Sequence, residues 1–127
     1  MALLNVVLVE DSPTIRQNLV ATLEELAPVQ VVAWADDAET ALAMLDRDPP
    51  PCDLAIVDVF LRNGSGLDVL DTLRRHARPV RCVVLTNYAT AAMRTHCLAL
   101  GAERVFDKSG EVEALAAYCE TLVADAG

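Results

Sequence analysis

Acidic, hydroxyl and ammonium side chains follow the apolar segments of this 127-residue chain at regular intervals. Glu10 and Asp11 follow the first apolar run, Asp58 follows the third, Thr86 the fourth and Lys108 the fifth. If these runs are parallel strands, their carboxyl ends meet at one edge of a sheet, which is where such sheets bind ligands. Each pair of carboxylates about 4 Å apart would cost roughly 4 kcal/mol at an effective dielectric constant of about 20. We therefore expect a cation at this edge.

Two cations could offset this repulsion: a divalent ion held by oxygen ligands, and the ammonium of Lys108. Mg²⁺ suits a shallow carboxylate cluster in which the ion keeps several waters. A metal beside an aspartate, with a lysine and a hydroxyl donor, supplies the parts for phosphoryl transfer. Asp58 follows the apolar run 54–57 and is the expected acceptor, because carboxylates can form aspartyl-phosphates. Asp11 would then bind the metal directly and Glu10 through water.

The segments between these residues alternate between strand and helix patterns. Continuous or alternating apolar runs predict strands at 3–9, 29–34, 53–57, 80–85 and 104–107. Apolar residues spaced by three and four predict helices at 15–26, 38–45, 67–73, 89–100 and 111–123. This alternation predicts an α/β fold with a single doubly wound, five-stranded parallel sheet that carries helices on both faces.

Residues at the ends of the predicted helices agree with this division. Ser12 followed by Pro13 is typical of a helix start, and Ser65 with Asp68 resembles a capping box. Gly101 lies where a helix ends and positive φ is favoured.

Composition and charge limit the classes of function. Ten basic and nineteen acidic side chains give a net charge of -9, which argues against direct DNA binding and against binding to anionic membranes. Four cysteines without a CxxC pair are expected to be buried, reduced thiols. No segment has the length or flanks of a membrane span or a leader peptide, so we expect a cytoplasmic protein. The chain length predicts a single domain over 1–127.

Four motifs in register resemble the receiver domain of two-component response regulators, over residues 5–123. They are Val-Glu10-Asp11-Ser-Pro, Ile-Val-Asp58-Val-Phe-Leu-Arg-Asn-Gly-Ser-Gly-Leu, Val-Val-Leu-Thr86 and Gly101-Ala-Glu-Arg-Val-Phe-Asp-Lys108. The resemblance, closest to stand-alone, chemotaxis-regulator-like receivers, implies a flavodoxin-like sheet of order 2-1-3-4-5. It also implies phosphorylation of Asp58 by a histidine kinase or phosphotransfer protein, or by a small phosphodonor.

The same resemblance implies a set of ligands and contacts. Mg²⁺ would be bound by Glu10, Asp11, Asp58 and the backbone carbonyl of Phe60. Thr86 and Lys108 would contact the phosphoryl oxygens.

Two departures from the family's usual pattern bear on signal transmission. Val105 stands where an aromatic switch residue is usual, and Phe106, one residue later, should point to the other side of its strand. An aromatic swing coupled to Thr86 is therefore not expected. Ser109 replaces a frequent proline, so a cis peptide after Lys108 is not assumed, and the sequence leaves the conformation of this peptide open.

Two further departures lie near the predicted site. Asn87 replaces a usual small residue after Thr86, and Arg62 replaces a frequent proline after Asp58. With Phe60 and Tyr88 they are expected to ring the mouth of the site and shield a phosphoryl group from water. We expect slow autodephosphorylation rather than the turnover of an enzyme.

Phosphorylation is expected to shift the 86–123 face and so control a partner protein that docks on 89–123, or to promote a homodimer. Only four residues follow Val123, so no output domain is expected. Two alternatives stay open: a pseudo-receiver that binds partners without being phosphorylated, and an aspartyl-phosphate phosphatase. The phosphatase is disfavoured because Phe60 stands where a second, general-acid aspartate would be required.

Overall fold

Five strands alternate with five helices in the part of the chain that the structure describes. The computed structural model describes residues 3–126. The elements are β1 (Leu4–Val9), α1 (Pro13–Leu26), β2 (Val29–Ala35), α2 (Ala38–Leu45), β3 (Leu54–Val57), α3 (Gly66–Arg75), β4 (Cys82–Thr86), α4 (Ala91–Ala99), β5 (Val105–Asp107) and α5 (Val112–Ala126). All strand pairs are parallel, in the order β2-β1-β3-β4-β5. The predicted doubly wound α/β fold and its strand order are confirmed.

The sheet separates two apolar layers. Successive residues of β1 alternate between them: Val7 and Val9 pack with α2, α3 and α4, whereas Val6 and Leu8 pack with α1 and α5. β3 and β4 are buried along their whole length, as expected for strands covered on both faces. The central strands are therefore held rigidly, and the side chains that follow them start from fixed positions.

Several predicted boundaries were wrong by one to three residues. The fourth strand begins at Cys82 rather than 80 and ends at Thr86, so Thr86 is its last residue and not the first residue after it. The fourth helix begins at Ala91 instead of 89. The fifth strand begins at Val105, and the fifth helix continues to Ala126. Strand ends are set by ladder hydrogen bonds to neighbours distant in sequence, which local apolar patterns do not contain.

The predicted helix starts are confirmed, with one correction. The Ser12 hydroxyl accepts a hydrogen bond from the backbone N–H of Ile15, and Pro13 opens α1. The Ser65 hydroxyl caps α3 by accepting from the N–H of Leu67, but among the described residues no side-chain bond returns from Asp68, so the reciprocal capping box is not formed.

The backbone near the end of α4 and in β5 agrees with the remaining expectations. Gly101, which follows the C-cap residue Leu100 of α4, has φ of +105°. Val105 and Phe106 are both buried but lie in opposite apolar layers. Within residues 3–126 the peptide after Lys108 is not cis, a point that the sequence left open.

The four cysteines are buried and free, as predicted. Burial raises the pKa of the Cys82 thiol to about 12 and that of Cys119 to about 11. These groups are therefore protonated packing residues at neutral pH. None of the described helices combines the length and the apolar character needed to cross a bilayer.

An ion-pair cluster joins the ends of α2 and α3. The Asp46 carboxylate receives a hydrogen bond from Arg78 Nε at 2.8 Å and contacts His76 Nδ1 at 2.7 Å. These hydrogen bonds, from Arg78 first and His76 second, hold the pKa of Asp46 below its usual 3.8. A carboxyl group with a lowered pKa stabilises the folded state above its usual pKa, and this stabilisation is lost as the pH falls through the lowered value.

We therefore predict that Asp46→Asn lowers the melting temperature at pH 7, by about 2 °C on the scale of exposed ion pairs. The difference from the wild type should begin to shrink as the pH falls through the usual pKa of 3.8 and vanish below the lowered pKa of Asp46. Thermal melts at a series of pH values measure both effects. Asp48→Asn, an exposed acid two residues away, is the matched control; an equal effect of the two variants would contradict the assignment.

Candidate functional site

Three carboxylates converge at the carboxyl end of the sheet. Glu10 and Asp11 follow β1, and Asp58 follows the neighbouring strand β3. One carboxylate oxygen from each of the three lies within 4.8 Å of the others. Glu10 is 2% exposed and Asp58 is 7% exposed, so both are largely removed from water. The structure thus brings together the three acidic residues that the sequence singled out.

Lys108 neutralises part of this cluster. Its Nζ donates to Glu10 Oε1 at 2.5 Å and to Asp58 Oδ2 at 2.8 Å, and its side chain is 10% exposed. Burial lowers the pKa of Lys108, but the hydrogen bonds and charges of Asp58 and Glu10 outweigh burial, so its pKa is raised overall. The lysine is therefore a fixed positive charge between two carboxylates that would otherwise be left unpaired.

Backbone hydrogen bonds hold the two buried acids in register with the sheet. The Glu10 N–H donates to Ala35 O of β2 at 2.9 Å, and the Asp58 N–H donates to Val9 O at 3.0 Å. The Ser12 N–H donates to Glu10 Oε2 at 3.1 Å. The start of α1 therefore fixes one oxygen of Glu10 while Lys108 fixes the other.

Asp11 is the most exposed acid of the three. Desolvation, followed by the hydrogen bond and the charge of Glu10, raises its pKa. The carboxylate of Asp11 is thus held in unfavourable proximity to a like charge. A cation bound beside it would relieve this repulsion.

Gly66 permits a close approach of α3 to Asp58. A Cβ atom at this position would lie 2.1 Å from the Asp58 carbonyl oxygen, well inside van der Waals contact. The Gly66 N–H donates to Val59 O at 2.9 Å, and the Ser65 hydroxyl donates to the same oxygen at 3.2 Å. The glycine therefore allows the loop after β3 to fold back over its own strand end, which sets the position of Phe60.

Thr86 is fully buried at the end of β4. Its hydroxyl oxygen accepts a hydrogen bond from the Tyr88 N–H at 3.2 Å, and its carbonyl accepts from the Lys108 N–H at 2.9 Å. The Thr86 hydroxyl makes no hydrogen bond to the Asp58 carboxylate. The strand end thus links the backbone of Thr86 directly to the turn that carries Lys108.

An exposed aromatic pair lies beside this edge. Phe60 and Tyr88 are 53% and 60% exposed and meet edge to face, with ring centroids 4.9 Å apart. Asn87 and Lys108 line a groove of about 380 Å³ between α1 and α5. Arg62 instead forms an ion pair with Asp36 at 2.7 Å. The aromatic residues Phe60 and Tyr88 therefore lie beside the site, whereas Arg62 is held toward the loop between β2 and α2.

Two contacts near the site were missed in the sequence. Arg16 of α1 donates from Nη1 to the Glu10 carbonyl at 3.1 Å, and its guanidinium lies 3.6 Å from the ring centroid of Trp34. Trp34 is 48% exposed, so this cation–π contact lies at the protein surface. The six-residue spacing of Glu10 and Arg16 is only a weak indication that the two residues are in contact. The contact between Arg16 and Trp34 joins α1 to β2, and the local sequence pattern does not indicate it.

Comparison with solved structures places this fold in a known class. The chain superposes on the signal receiver domain of the response regulator NarL from Mycobacterium tuberculosis with a TM-score of 0.81 and 25% identity, covering 95% of this chain and 98% of that one. It also superposes on the response regulator domain of Thermotoga maritima CheB with a TM-score of 0.77 at 21% identity, which shows the fold alone; 98% of this chain and 96% of that one are covered.

Sequence comparison identifies the family. The response regulator receiver domain profile matches residues 6–120, so the chain belongs to the receiver domain family of two-component response regulators. A transcriptional regulatory protein of Picosynechococcus is 32% identical over 93% of this chain and 48% of its own length. A protein-glutamate methylesterase/protein-glutamine glutaminase of Caulobacter vibrioides is 33% identical over 91% of this chain and 35% of its own.

The family defines a general role for the domain. Receiver domains are signalling domains that interact with histidine kinases and downstream effectors, and they generally bind Mg²⁺ at an acidic cluster. Membership therefore supports a phosphoacceptor signalling role. The chain spans about a third to a half of the length of the two curated relatives.

The repulsion at Asp11 leads to a prediction about the metal-free protein. Asp11→Asn should raise the melting temperature without Mg²⁺ by about 2–4 °C, since it removes one of three neighbouring negative charges. Millimolar Mg²⁺ should raise the melting temperature of the wild type and have little effect on the variant. Thermal melts with and without Mg²⁺ measure both.

Glu25→Gln, which removes one exposed negative charge from α1, is the matched control and should change neither value appreciably. A metal response of Asp11→Asn equal to that of the wild type would contradict the assignment of Asp11.

Proposed function

We propose that this protein is a phosphoacceptor switch in which the Asp58 carboxylate takes a phosphoryl group. The observation that carries the proposal is the placement of Lys108 Nζ, 2.5 Å from Glu10 Oε1 and 2.8 Å from Asp58 Oδ2, beside a third carboxylate at Asp11. This arrangement concentrates negative charge at one end of the sheet. It also supplies a cation that can remain there when a phosphoryl group adds further negative charge.

Asp58 acts as the nucleophile in this proposal. A carboxylate oxygen of Asp58 forms a bond to the phosphorus atom of the donor, and the bond from phosphorus to the leaving group breaks. The leaving group is the imidazole of a phosphohistidine on a histidine kinase or phosphotransfer protein, or the carboxylate of a small acyl phosphate. Fixing Asp58 by its backbone bond to β1 orients the nucleophile before the donor arrives.

The donor set fits Mg²⁺. Three carboxylates with converging oxygens are hard ligands, and the half-buried Asp11 leaves room for waters on an octahedral ion. Glu10, Asp11, Asp58 and the backbone carbonyl of Phe60 would hold it. When bound, the ion would neutralise phosphoryl charge and orient the donor oxygens.

Thr86 and Lys108 would contact the oxygens of the phosphoryl group. The Lys108 ammonium can form an ion pair with a phosphoryl oxygen, and the Thr86 hydroxyl can donate its proton to another. Hydrogen bonds to charged groups contribute roughly 1.5–3 kcal/mol each. Because the Thr86 carbonyl already accepts from the Lys108 N–H, both contacts would draw the ends of β4 and β5 in the same direction.

The surface formed by residues 89–123 would carry the output. It lies next to the two strand ends that move, and it would contact a downstream protein or a second copy of this chain. Among the relatives, DevR/DosR of Mycobacterium tuberculosis bears the name of a DNA-binding transcriptional activator, and this chain covers 45% of it. The net charge of -9 argues against DNA contact by the domain itself. We therefore propose signalling through protein contacts, without a membrane surface.

The first test is direct phosphorylation. Incubation with acetyl phosphate and Mg²⁺ should add one phosphoryl group, detected by intact mass, to the wild type. Asp58→Asn should gain none, because the nucleophile is lost, while Asp68→Asn on the exposed face of α3 should behave as the wild type. Removal of Mg²⁺ should abolish the gain. No incorporation into the wild type would favour a pseudo-receiver, and repeated turnover of phosphomonoesters would favour a phosphatase.

The residues around the site, among them Phe60, Asn87 and Tyr88, predict a phosphoryl group that is hydrolysed slowly. Replacing both Asn87 and Tyr88 by alanine should shorten its lifetime about threefold or more, equivalent to about 0.7 kcal/mol in the hydrolysis barrier, because water gains access to the phosphorus atom. Decay of the phosphorylated mass after removal of the donor measures the lifetime. Leu98→Ala removes an equally exposed apolar side chain from α4 and should leave the lifetime unchanged. An unchanged lifetime in the double variant would refute the shielding role.

A further inference from the structure

Arg94 of α4 binds three separate parts of the chain through one guanidinium. Its Nε donates to the Ala89 carbonyl at 3.0 Å, its Nη1 donates to the Val105 carbonyl at 2.8 Å, and its Nη2 donates to Glu111 Oε1 at 2.7 Å. Ala89 lies in the loop three residues after Thr86, Val105 is in β5, and Glu111 immediately precedes α5. A single side chain therefore joins the loop after β4, β5 and the start of α5.

Glu111 extends this connection to the turn that carries Lys108. Its Oε1 also accepts from the Asp107 N–H at 2.8 Å, and its own N–H donates to the Asp107 carbonyl at 2.8 Å. Asp107 is the last residue of β5 and directly precedes Lys108. The carboxylate of Glu111 thus bonds to Arg94 and to the Lys108 turn through the same oxygen.

The connection depends on geometry more than on charge. The side chains of Arg94 and Glu111 are 37% and 39% exposed, and an ion pair at such exposure contributes little by itself. Two of the three acceptors of Arg94 are backbone carbonyls of different segments. A planar guanidinium can donate in several fixed directions at once, whereas a lysine ammonium on a flexible stem cannot hold the same three acceptors in one plane.

The hydrogen bonds from Arg94 also keep Glu111 ionised. The Arg94 hydrogen bond, followed by the Asp107 N–H, lowers the pKa of Glu111. The carboxylate is therefore an acceptor for both donors at neutral pH.

Two of the three parts that Arg94 joins adjoin the candidate site: the loop after β4 follows Thr86, and β5 directly precedes Lys108. Val105, a small aliphatic residue, occupies the β5 position next to this connection, and Phe106 lies in the opposite apolar layer. An aromatic rearrangement at β5 therefore has no residue to carry it on the α4 side. Arg94 supplies a polar connection at the same place.

We propose that Arg94 and Glu111 form a clasp that positions the Lys108 turn against the loop after Thr86 and transmits movement at these strand ends to α4. This inference rests on the proposed phosphoryl acceptance at Asp58. Arg94 is a positioning residue: it touches neither Asp58 nor the metal-binding carboxylates. When Thr86 and Lys108 move toward a phosphoryl group, Ala89 and Asp107 move with them, and the guanidinium that binds both segments shifts α4.

The test measures phosphorylation and the response of α4 separately. Phosphorylation by acetyl phosphate with saturating Mg²⁺ should be about tenfold slower in Arg94→Ala, at an unchanged donor concentration for half-maximal rate, because the Lys108 turn is less well placed. Arg94→Lys keeps the positive charge but not the three bonds and should also be slow. Arg75→Ala, which removes an exposed arginine that pairs with Asp71 on α3, should match the wild type.

The second measurement is hydrogen–deuterium exchange over residues 87–99, with and without beryllofluoride and Mg²⁺. The wild type should change its exchange in this segment when beryllofluoride binds. Arg94→Ala and Arg94→Lys should exchange faster beforehand and show a smaller change on binding. Glu111→Gln, which can still accept hydrogen bonds without the charge, should lie between them and the wild type. Thermal melts identify which variants are folded, and Arg94→Lys and Glu111→Gln carry the test if Arg94→Ala is not.

The outcomes separate the clasp from the proposed function. Wild-type rate and wild-type exchange in Arg94→Ala would overturn the clasp while leaving phosphorylation at Asp58 intact. Full rescue by Arg94→Lys would also overturn it, because charge alone would then be sufficient. Failure of the wild type to accept a phosphoryl group would overturn the proposed function and the clasp together.

Discussion

Repulsion among three carboxylates at one end of a parallel sheet is the constraint on which the rest of this structure depends. Glu10 and Asp58 are nearly inaccessible to water, so their charges cannot be screened by solvent and need a cation within hydrogen-bond reach. Lys108 meets that need only if β5 ends at the correct level and the turn after it points the ammonium inward. Two sets of hydrogen bonds hold Lys108 in this position. The Lys108 N–H donates to the Thr86 carbonyl, and Glu111 is hydrogen-bonded to the backbone of Asp107, the residue before Lys108.

The architecture and the residues of the cluster could be predicted from sequence because both follow from short-range patterns. Apolar runs that end in Glu10, Asp58 and Lys108 identify buried strands, and parallel winding brings their carboxyl ends together. The choice of partners within the cluster could not be predicted. Lys108 bonds to residues 98 and 50 positions away, and only the packed sheet determines which oxygens it reaches.

Contacts that depend on side-chain direction were missed for a related reason. The capping motif at Ser65 and Asp68 predicted a reciprocal bond, yet the Ser65 hydroxyl bonds to Leu67 and Val59 because α3 is pressed against the end of β3 at Gly66. The guanidinium of Arg94 reaches residues 11 and 17 positions later in the chain. Such bonds span elements whose relative orientation is set by the core, so local patterns contain no trace of them.

The occupied state of Lys108 limits how strongly phosphorylation alone can drive the proposed switch. Because the ammonium already bonds to Glu10 and Asp58, a phosphoryl contact replaces existing bonds instead of adding new ones. Among residues 3–126 the Thr86 hydroxyl accepts a hydrogen bond but donates none, so its contact would be the main net gain, roughly 1.5–3 kcal/mol. Starting from about one part in a hundred active, that gain brings the active fraction to roughly 10–60%. In the proposed switch, a downstream protein that binds the active arrangement more tightly would have to supply the remainder. Such a partner would take part in activation as well as respond to it.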